Sequence, residues 1–282
     1  PVIGAAGGTI VVSAEVAEVI IEKNTAVGVR MKDGKIFRAA NIVSNAGIMT
    51  TYNKLLPIQT IQKHRLKEQL QKVKQSVAHA SLYIGLEGTP EALGIPKTNY
   101  WVYPKDGDHD TCIDNYLKDI SKPFPLVYLS FPSAKDPDWS NRYPNKSTID
   151  VITLVPYETF EEWAGSSWKK RGEAYEAKKE EIAQRLLQEV YKQLPQVKGK
   201  VSCYELSTPL TTQHFINYDK GEIYGLDHSP SRYRQPFLKP KTPIKNFYLT
   251  GQDIVTAGVG GALFSGVLSS MAITGKNVLK KI

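Results

Sequence analysis

Asn246–Ala272 reads Asn-Phe-Tyr-Leu-Thr-Gly-Gln-Asp-Ile-Val-Thr-Ala-Gly-Val-Gly-Gly-Ala-Leu-Phe-Ser-Gly-Val-Leu-Ser-Ser-Met-Ala. It is a short apolar strand, an acid, a glycine-rich turn and then a helix of small residues. The strand, Phe247–Thr250, is bounded by Gly251. The helix, expected from about Gly261 to Leu279, starts without large side chains, so its first amides are open to a ligand. The positive end of its dipole favours an electron-rich group. The N1/C2 carbonyl edge of a flavin, anionic when reduced, fits that description. Gly251-Gln252-Asp253 supplies a turn and an acid placed to accept hydrogen bonds from sugar-alcohol hydroxyls.

Gly258-Val259-Gly260 also resembles the opening of a dinucleotide fingerprint, but that motif fails here. Its sixth position is Leu263, and no Asp or Glu follows Gly261 to bind a ribose. Tight packing of a helix on a sheet explains Ser265, Gly266, Ser269 and Ser270. It does not explain Gly251-Gln252-Asp253.

The chain has 282 residues, 41% of them hydrophobic, which is enough for one large or two ordinary domains with a real core. Its net charge of +8 comes from dispersed Lys and Arg, a pattern that argues against a nucleic-acid partner. Lysines near the end, from Lys276 to Lys281, complement a helix terminus and suit an anionic lipid surface. Cys112 and Cys203, apart from any histidine cluster, support neither a disulfide framework nor a metal site. The expected setting is therefore a peripheral membrane surface, at a cytoplasmic face or in a reducing compartment. No run of about 18 apolar residues suggests a spanning helix.

From Pro1 the chain reads as the last turn of a helix capped by Gly7-Gly8. Strands are expected at Thr9–Ser13, Val16–Glu22, Ala26–Met31, Lys35–Ala39 and Ile42–Ser44, with Asp33-Gly34 as a hairpin turn. Such a meander ordinarily completes a nucleotide-binding sheet begun earlier, so the expectation is of a piece whose N-terminal segment is missing. From Ile48 to about Pro240, strand-like pieces at 80–86, 100–103, 126–131 and 147–154 point to a separate sheet-based substrate domain. Two helices belong to it, near Thr60–Lys74 and near Arg171–Gln193. In the second, Tyr175, Ile182, Leu186, Leu187, Val190 and Leu194 make one apolar stripe. The domains expected are thus 1–47 with 241–282, discontinuous, and 48–240.

Longer phrases narrow the reading: Val43-Ser44-Asn45-Ala46, Gly94-Ile95-Pro96-Lys97-Thr98-Asn99-Tyr100-Trp101, Phe131-Pro132-Ser133-Ala134-Lys135-Asp136-Pro137, Ser207-Thr208-Pro209-Leu210-Thr211-Thr212-Gln213-His214-Phe215 and Gly221-Glu222-Ile223-Tyr224-Gly225-Leu226-Asp227-His228. Together they resemble the phytoene desaturase and carotenoid isomerase flavoprotein superfamily, and within it the retinol saturase (all-trans-retinol 13,14-reductase) group.

The resemblance implies an α/β (α+β) fold with an incomplete, discontinuous FAD-binding Rossmann-like domain of the glutathione-reductase/amine-oxidase type. In that fold Val16 pairs its backbone with the adenine, and Ser44, Asn45 and Ala46 lie by the central part of the cofactor. Asp253, with Gly251 and Gln252, holds the ribityl chain. Val259, Gly260, Gly261 and Ala262 offer amides to the isoalloxazine. Pro209-Leu210-Thr211 becomes a loop near the flavin. The implied chemistry is hydride transfer between FAD and a conjugated isoprenoid, with NAD(P) as a candidate electron donor. Saturation of a double bond is the first expectation, desaturation or cis-trans isomerisation the second. A non-catalytic piece that binds an apolar lipid is the reading of a different class. A Gly-x-Gly-x-x-Gly turn, usual in such families, does not occur. Saturation also consumes a proton, for which His214 is the candidate donor, ahead of His228, Tyr218 and Tyr224.

Overall fold

The computed structural model describes residues 1–105 and 108–281. Its strands are β1 (Val16–Glu22), β2 (Thr25–Met31), β3 (Ile36–Arg38), β4 (Ile42–Ser44), β5 (His79–Glu87), β6 (Tyr100–Val102), β7 (Val127–Ser130), β8 (Lys146–Leu154), β9 (Val201–Ser207) and β10 (Phe247–Leu249). The fold is mixed α/β, and the chain divides into two compact units, Pro1–Ser76 with Tyr224–Ile282, and Val77–Ile223. The boundaries read from composition, 47/48 and 240/241, both fall inside the first unit. The reason is apolar burial: Ile48, Tyr52, Leu56, Ile61, Leu66, Leu70 and Leu238 share one core with Val19, Ile244, Phe247 and Leu249.

In the first unit β1, β2 and β3 form an antiparallel meander. Lys23 and Asn24, both at positive φ, make the β1–β2 turn, and Gly34 at φ +85° serves the next one. β10 pairs in parallel with β4, in the register Phe247↔Ile42 and Leu249↔Ser44. Both strands therefore end side by side, and the chain leaves them through neighbouring loops. Thr9–Ser13, expected as a strand, is not one: Ile10, Val11 and Val12 are exposed, and no strand among the described residues pairs with them. The single helix expected over 60–74 is two short ones, Ile58–Lys63 and Leu66–Leu70, because Arg65 turns left-handed at φ +53°.

The second unit is a five-stranded antiparallel sheet in the order β6-β7-β8-β5-β9. Along β5, Ala80, Leu82, Ile84 and Leu86 are buried, while His79, Tyr83 and Glu87 turn to the other face. The buried face joins Val127, Leu129, Ile149 and Val151 in one core with the helix Glu173–Gln193. That helix buries the expected stripe, Tyr175, Ile182, Leu186, Leu187 and Val190, with Leu194 just beyond its end. Each such leucine contributes about 1.5–3 kcal/mol by leaving water.

Three features of this unit departed from the sequence reading or escaped it. β9 and the helix His109–Lys118, capped by Asp108, were not expected. Pro209-Leu210-Thr211 is not a loop but the first turn of the helix Pro209–Ile216. Thr208 and Thr211 bond reciprocally there as a capping box, with Pro209 at the first helical position.

Candidate functional site

The site is built where β4 and β10 stop, since the C-terminal ends of parallel strands leave a crevice that ligands occupy. The Thr250 amide bonds the Ser44 carbonyl at 3.0 Å, tying the two exit loops together. Gly251 sits at φ +99°, and a Cβ there would lie 2.0 Å from Asn45 Oδ1, so the asparagine side chain lies over it. Its amide donates to Ser265 Oγ at 2.7 Å, and Ser269 Oγ reaches the Leu249 carbonyl at 2.9 Å. Ser265 and Ser269, both buried, thus fasten the long C-terminal helix to β10.

That helix runs Gly258–Thr274 and is stopped by Gly275 at φ +69°. It starts three residues earlier than expected and ends five short of Leu279; Val278–Lys281 is a separate 3-10 turn. Gly261 is buried, and only glycine fits there, since a Cβ would strike the Thr256 carbonyl oxygen at 1.9 Å. Around Gly258 and Gly260 a Cβ would meet nothing within 4 Å. The N-cap residue, Ala257, offers no side-chain cap, the Gly258 amide has only a long bond to Gln252 Oε1 at 3.5 Å, and Gly258, Val259 and Gly260 are all exposed. Open amides, open space and no large side chains are what a flat, electron-rich ring edge requires of a helix start.

Asp253 is only 4% exposed, and both of its oxygens are engaged. Oδ2 accepts from the Ile48 amide at 2.7 Å and Oδ1 from the Leu226 amide at 3.0 Å. The carboxylate therefore clamps three loops. Gly225, at φ +66°, is obligatory beside it, since a Cβ would approach Oδ1 to 2.2 Å. A carboxylate has roughly four lone-pair positions, so bonds to ribityl hydroxyls would add to these two rather than replace them.

Arg232, 1% exposed, completes the clamp by donating to the carbonyls of Leu226, Asp227 and, at 2.6 Å, Gln252. Its Nη1 also lies 3.2–3.3 Å from the ring nitrogens of His228. His228 Nε2 accepts from the Ala257 amide at 2.7 Å, just ahead of the open helix start. Burial and the Arg232 charge hold the His228 pKa below its ordinary value, against the pull of Asp227 and Asp253. The neutral ring is the form that can accept from Ala257.

Asn45 lies against Gly251, Ser44 is bonded to Thr250 just before it, Gln252 and Asp253 follow in the same turn, and Gly261, packed on Thr256, belongs with Val259, Gly260 and Ala262 to the helix start. The Ser44 hydroxyl is held by Thr51 Oγ1 at 2.7 Å, and the Ala46 amide lies 3.4 Å from Ser44 Oγ. Val16 opens β1 opposite Met31, in the other sheet of the unit. His214 belongs to the second unit, with its ring stacked on Trp168 at 5.1 Å. Arg232 and Gly225 carried no legible signal; only burial and a positive φ reveal them.

Comparison with known proteins gives this geometry a context. No family model matches the chain. All-trans-retinol 13,14-reductases of Danio rerio and Homo sapiens are 35% and 38% identical to it, over 99% of this chain. The chain is thus similar to the retinol 13,14-reductases. It spans about half the length of the curated relatives it matches, 47% of each of these two. It is also 28% identical to the chloroplastic prolycopene isomerase of Arabidopsis thaliana, over 98% of its length and 43% of that protein. Among solved structures, an oxidoreductase from Methanosarcina mazei shares the fold, with a TM-score of 0.53 at 17% identity, over 97% of this chain and 51% of that one. Among the described residues no cluster suits a metal ion, and no helix is long and apolar enough to cross a membrane.

Proposed function

We propose that this chain forms the isoalloxazine-side half of an FAD site in an oxidoreductase that acts on a conjugated isoprenoid, a retinoid or carotenoid-like polyene. The observation that carries the reading is its match, over 99% of this chain and 47% of theirs, to proteins named all-trans-retinol 13,14-reductase. The open helix start at Gly258–Gly260 supports the placement of the cofactor. Bound there, FAD supplies hydride transfer to a carbon–carbon double bond.

The chain's own residues have separate tasks in this proposal. Val259, Gly260, Gly261 and Ala262 turn the positive end of the helix toward the ring edge. Asp253 and Arg232 keep the loops around it from spreading and exclude water from the crevice. Ser44, Asn45 and Ala46 flank the central part of the cofactor, and the Val16 backbone meets the adenine. For the proton that saturation consumes, His214 is the proposed donor. NAD(P) is the proposed source of electrons. The exposed Val259 and Leu263, with the basic excess of the chain, suit a peripheral membrane surface from which an apolar polyene is drawn. The N-terminal segment expected to carry the pyrophosphate turn completes the cofactor site.

The prolycopene isomerase likeness supports a second reading, in which the same site isomerises or desaturates a carotenoid rather than saturating it. The test is the visible spectrum of the protein expressed from its natural gene, followed by chromatography of all-trans-retinol and of a cis-carotenoid incubated with it. A flavin band with a retinoid product of shortened conjugation is expected. Isomerised carotenoid alone would favour the second reading, and absence of a flavin band would overturn both.

A further inference from the structure

Residues 254–257 join the Asp253 turn to the helix Gly258–Thr274, and their position decides where that helix starts. Ala257 occupies the N-cap but has no side-chain oxygen with which to cap. The segment is held from outside instead. The Ala257 amide donates to His228 Nε2 at 2.7 Å, the Tyr233 hydroxyl reaches Thr256 Oγ1 at 3.3 Å, and Arg232 fixes the Gln252 carbonyl at 2.6 Å. All three side chains come from the stretch that ends in the short helix Pro230–Tyr233. The first turn of the long helix is packed onto the same segment, since a Cβ at Gly261 would stand 1.9 Å from the Thr256 carbonyl oxygen. Where Thr256 and Ala257 go, the open amides of Gly258, Val259 and Gly260 follow.

The sequence offers His228 as a lesser candidate for the proton donor. Its surroundings give it another task. An imidazole that accepts at Nε2 carries its one proton on Nδ1. Arg232 Nη1 lies 3.3 Å from Nδ1 and 3.2 Å from Nε2, a fixed positive charge set against a second proton. The rings of Tyr224 and Tyr233 flank the imidazole, with centroids 6.5 and 6.1 Å away. Asp227 and Asp253 pull toward protonation, but burial and Arg232 outweigh them and keep the ring neutral under ordinary conditions. One face of the ring remains exposed, so a proton from solvent can still reach it.

We propose that His228 is a positioning residue for the flavin: the neutral ring holds the Ala257 amide and with it the open helix start, and the site loosens when the ring takes a second proton. A doubly protonated imidazole has no lone pair for Ala257 and meets its N–H with another. Removing one net hydrogen bond of this kind changes binding by about three- to tenfold. The proposal rests on the proposed flavin site.

The test is titration of FAD into the flavin-stripped protein, expressed from its natural gene, followed by flavin fluorescence between about pH 5 and pH 8. Neither the flavin nor the adenine ring titrates in that interval. Wild type should bind FAD about three- to tenfold more weakly at the acid end than at the alkaline end. His228→Gln, whose amide oxygen can accept from Ala257 without titrating, should keep most of the wild-type affinity at the alkaline end and lose less on acidification. His228→Leu should bind weakly at both ends. Wild-type affinity that does not change with pH would overturn the proposal, as would a His228→Gln profile that falls as steeply as wild type. Should His228→Leu fail to fold, the comparison of wild type with His228→Gln decides. Absence of FAD binding by wild type at every pH would overturn the proposed function and this proposal with it, whereas pH-independent binding overturns this proposal alone.

Discussion

In the second unit, β5 and β8 and the helix over them are held by carbon: Leu82, Leu86, Leu129, Ile149, Val151 and Leu186 are all fully buried and meet in one core. In the first unit, the loops leaving β4 and β10 are held by polar groups: one carboxylate, one guanidinium and two serine hydroxyls. The difference decides how each region tolerates change. An apolar core loses stability in proportion to the volume removed and can relax around a gap. A buried polar clamp fails more abruptly, since deleting one side strands the other without a partner.

The largest effect is therefore expected at Asp253. Asp253→Ala leaves the buried Ile48 and Leu226 amides without acceptors, and urea unfolding should show a loss of about 4 kcal/mol. Leu82→Ala, in the carbon-held sheet, should cost about 3 kcal/mol by the same measurement. Should Leu82→Ala prove the more damaging of the two, the contrast between the regions would be lost. Ser265→Ala removes the acceptor of the Gly251 amide and should cost about 1–2 kcal/mol, without changing the second unit's tryptophan signal.

The smallest effect is expected from His228, and it is one of pH. Its folded-state pKa lies below the unfolded value, so its contribution is present above that value and is lost as pH falls through the folded pKa. Protonation takes away the lone pair that accepts from Ala257. Thermal melts of wild type should therefore lose stability on acidification below about pH 6.5. His228→Gln, which has an acceptor but does not titrate, should lose less over the same interval. Identical acid dependence in both would remove His228 from the clamp.

The same contrast explains what the sequence disclosed. Apolar alternation in β5 and the stripe from Tyr175 to Val190 follow from spacing alone, because burial of carbon leaves a period. Polar clamps leave none. Asp253 reads as a ligand-binding acid because an acid beside a glycine turn suits that task, yet its first engagement is with the Ile48 and Leu226 amides, more than a strand away in the chain. Arg232 looks like any surface arginine until its burial is known. The break at Arg65 was hidden because a left-handed arginine has no sequence signature. The helix at Pro209 is legible in principle, since Thr208-Pro209-Leu210-Thr211 has both a capping pair and a proline at the first turn, although the family resemblance implies a loop there.

The most direct measurement of the central claim is the flavin absorption band of the protein expressed from its natural gene, compared between wild type and Gly260→Leu. A Cβ at Gly260 meets nothing within 4 Å, and the helix gains propensity by losing a glycine, so the variant should melt at or above the wild-type temperature. If a flavin ring lies against this helix start, the leucine occupies its place, and the band should fall at least about tenfold relative to protein. A band of equal strength in both proteins would contradict the account.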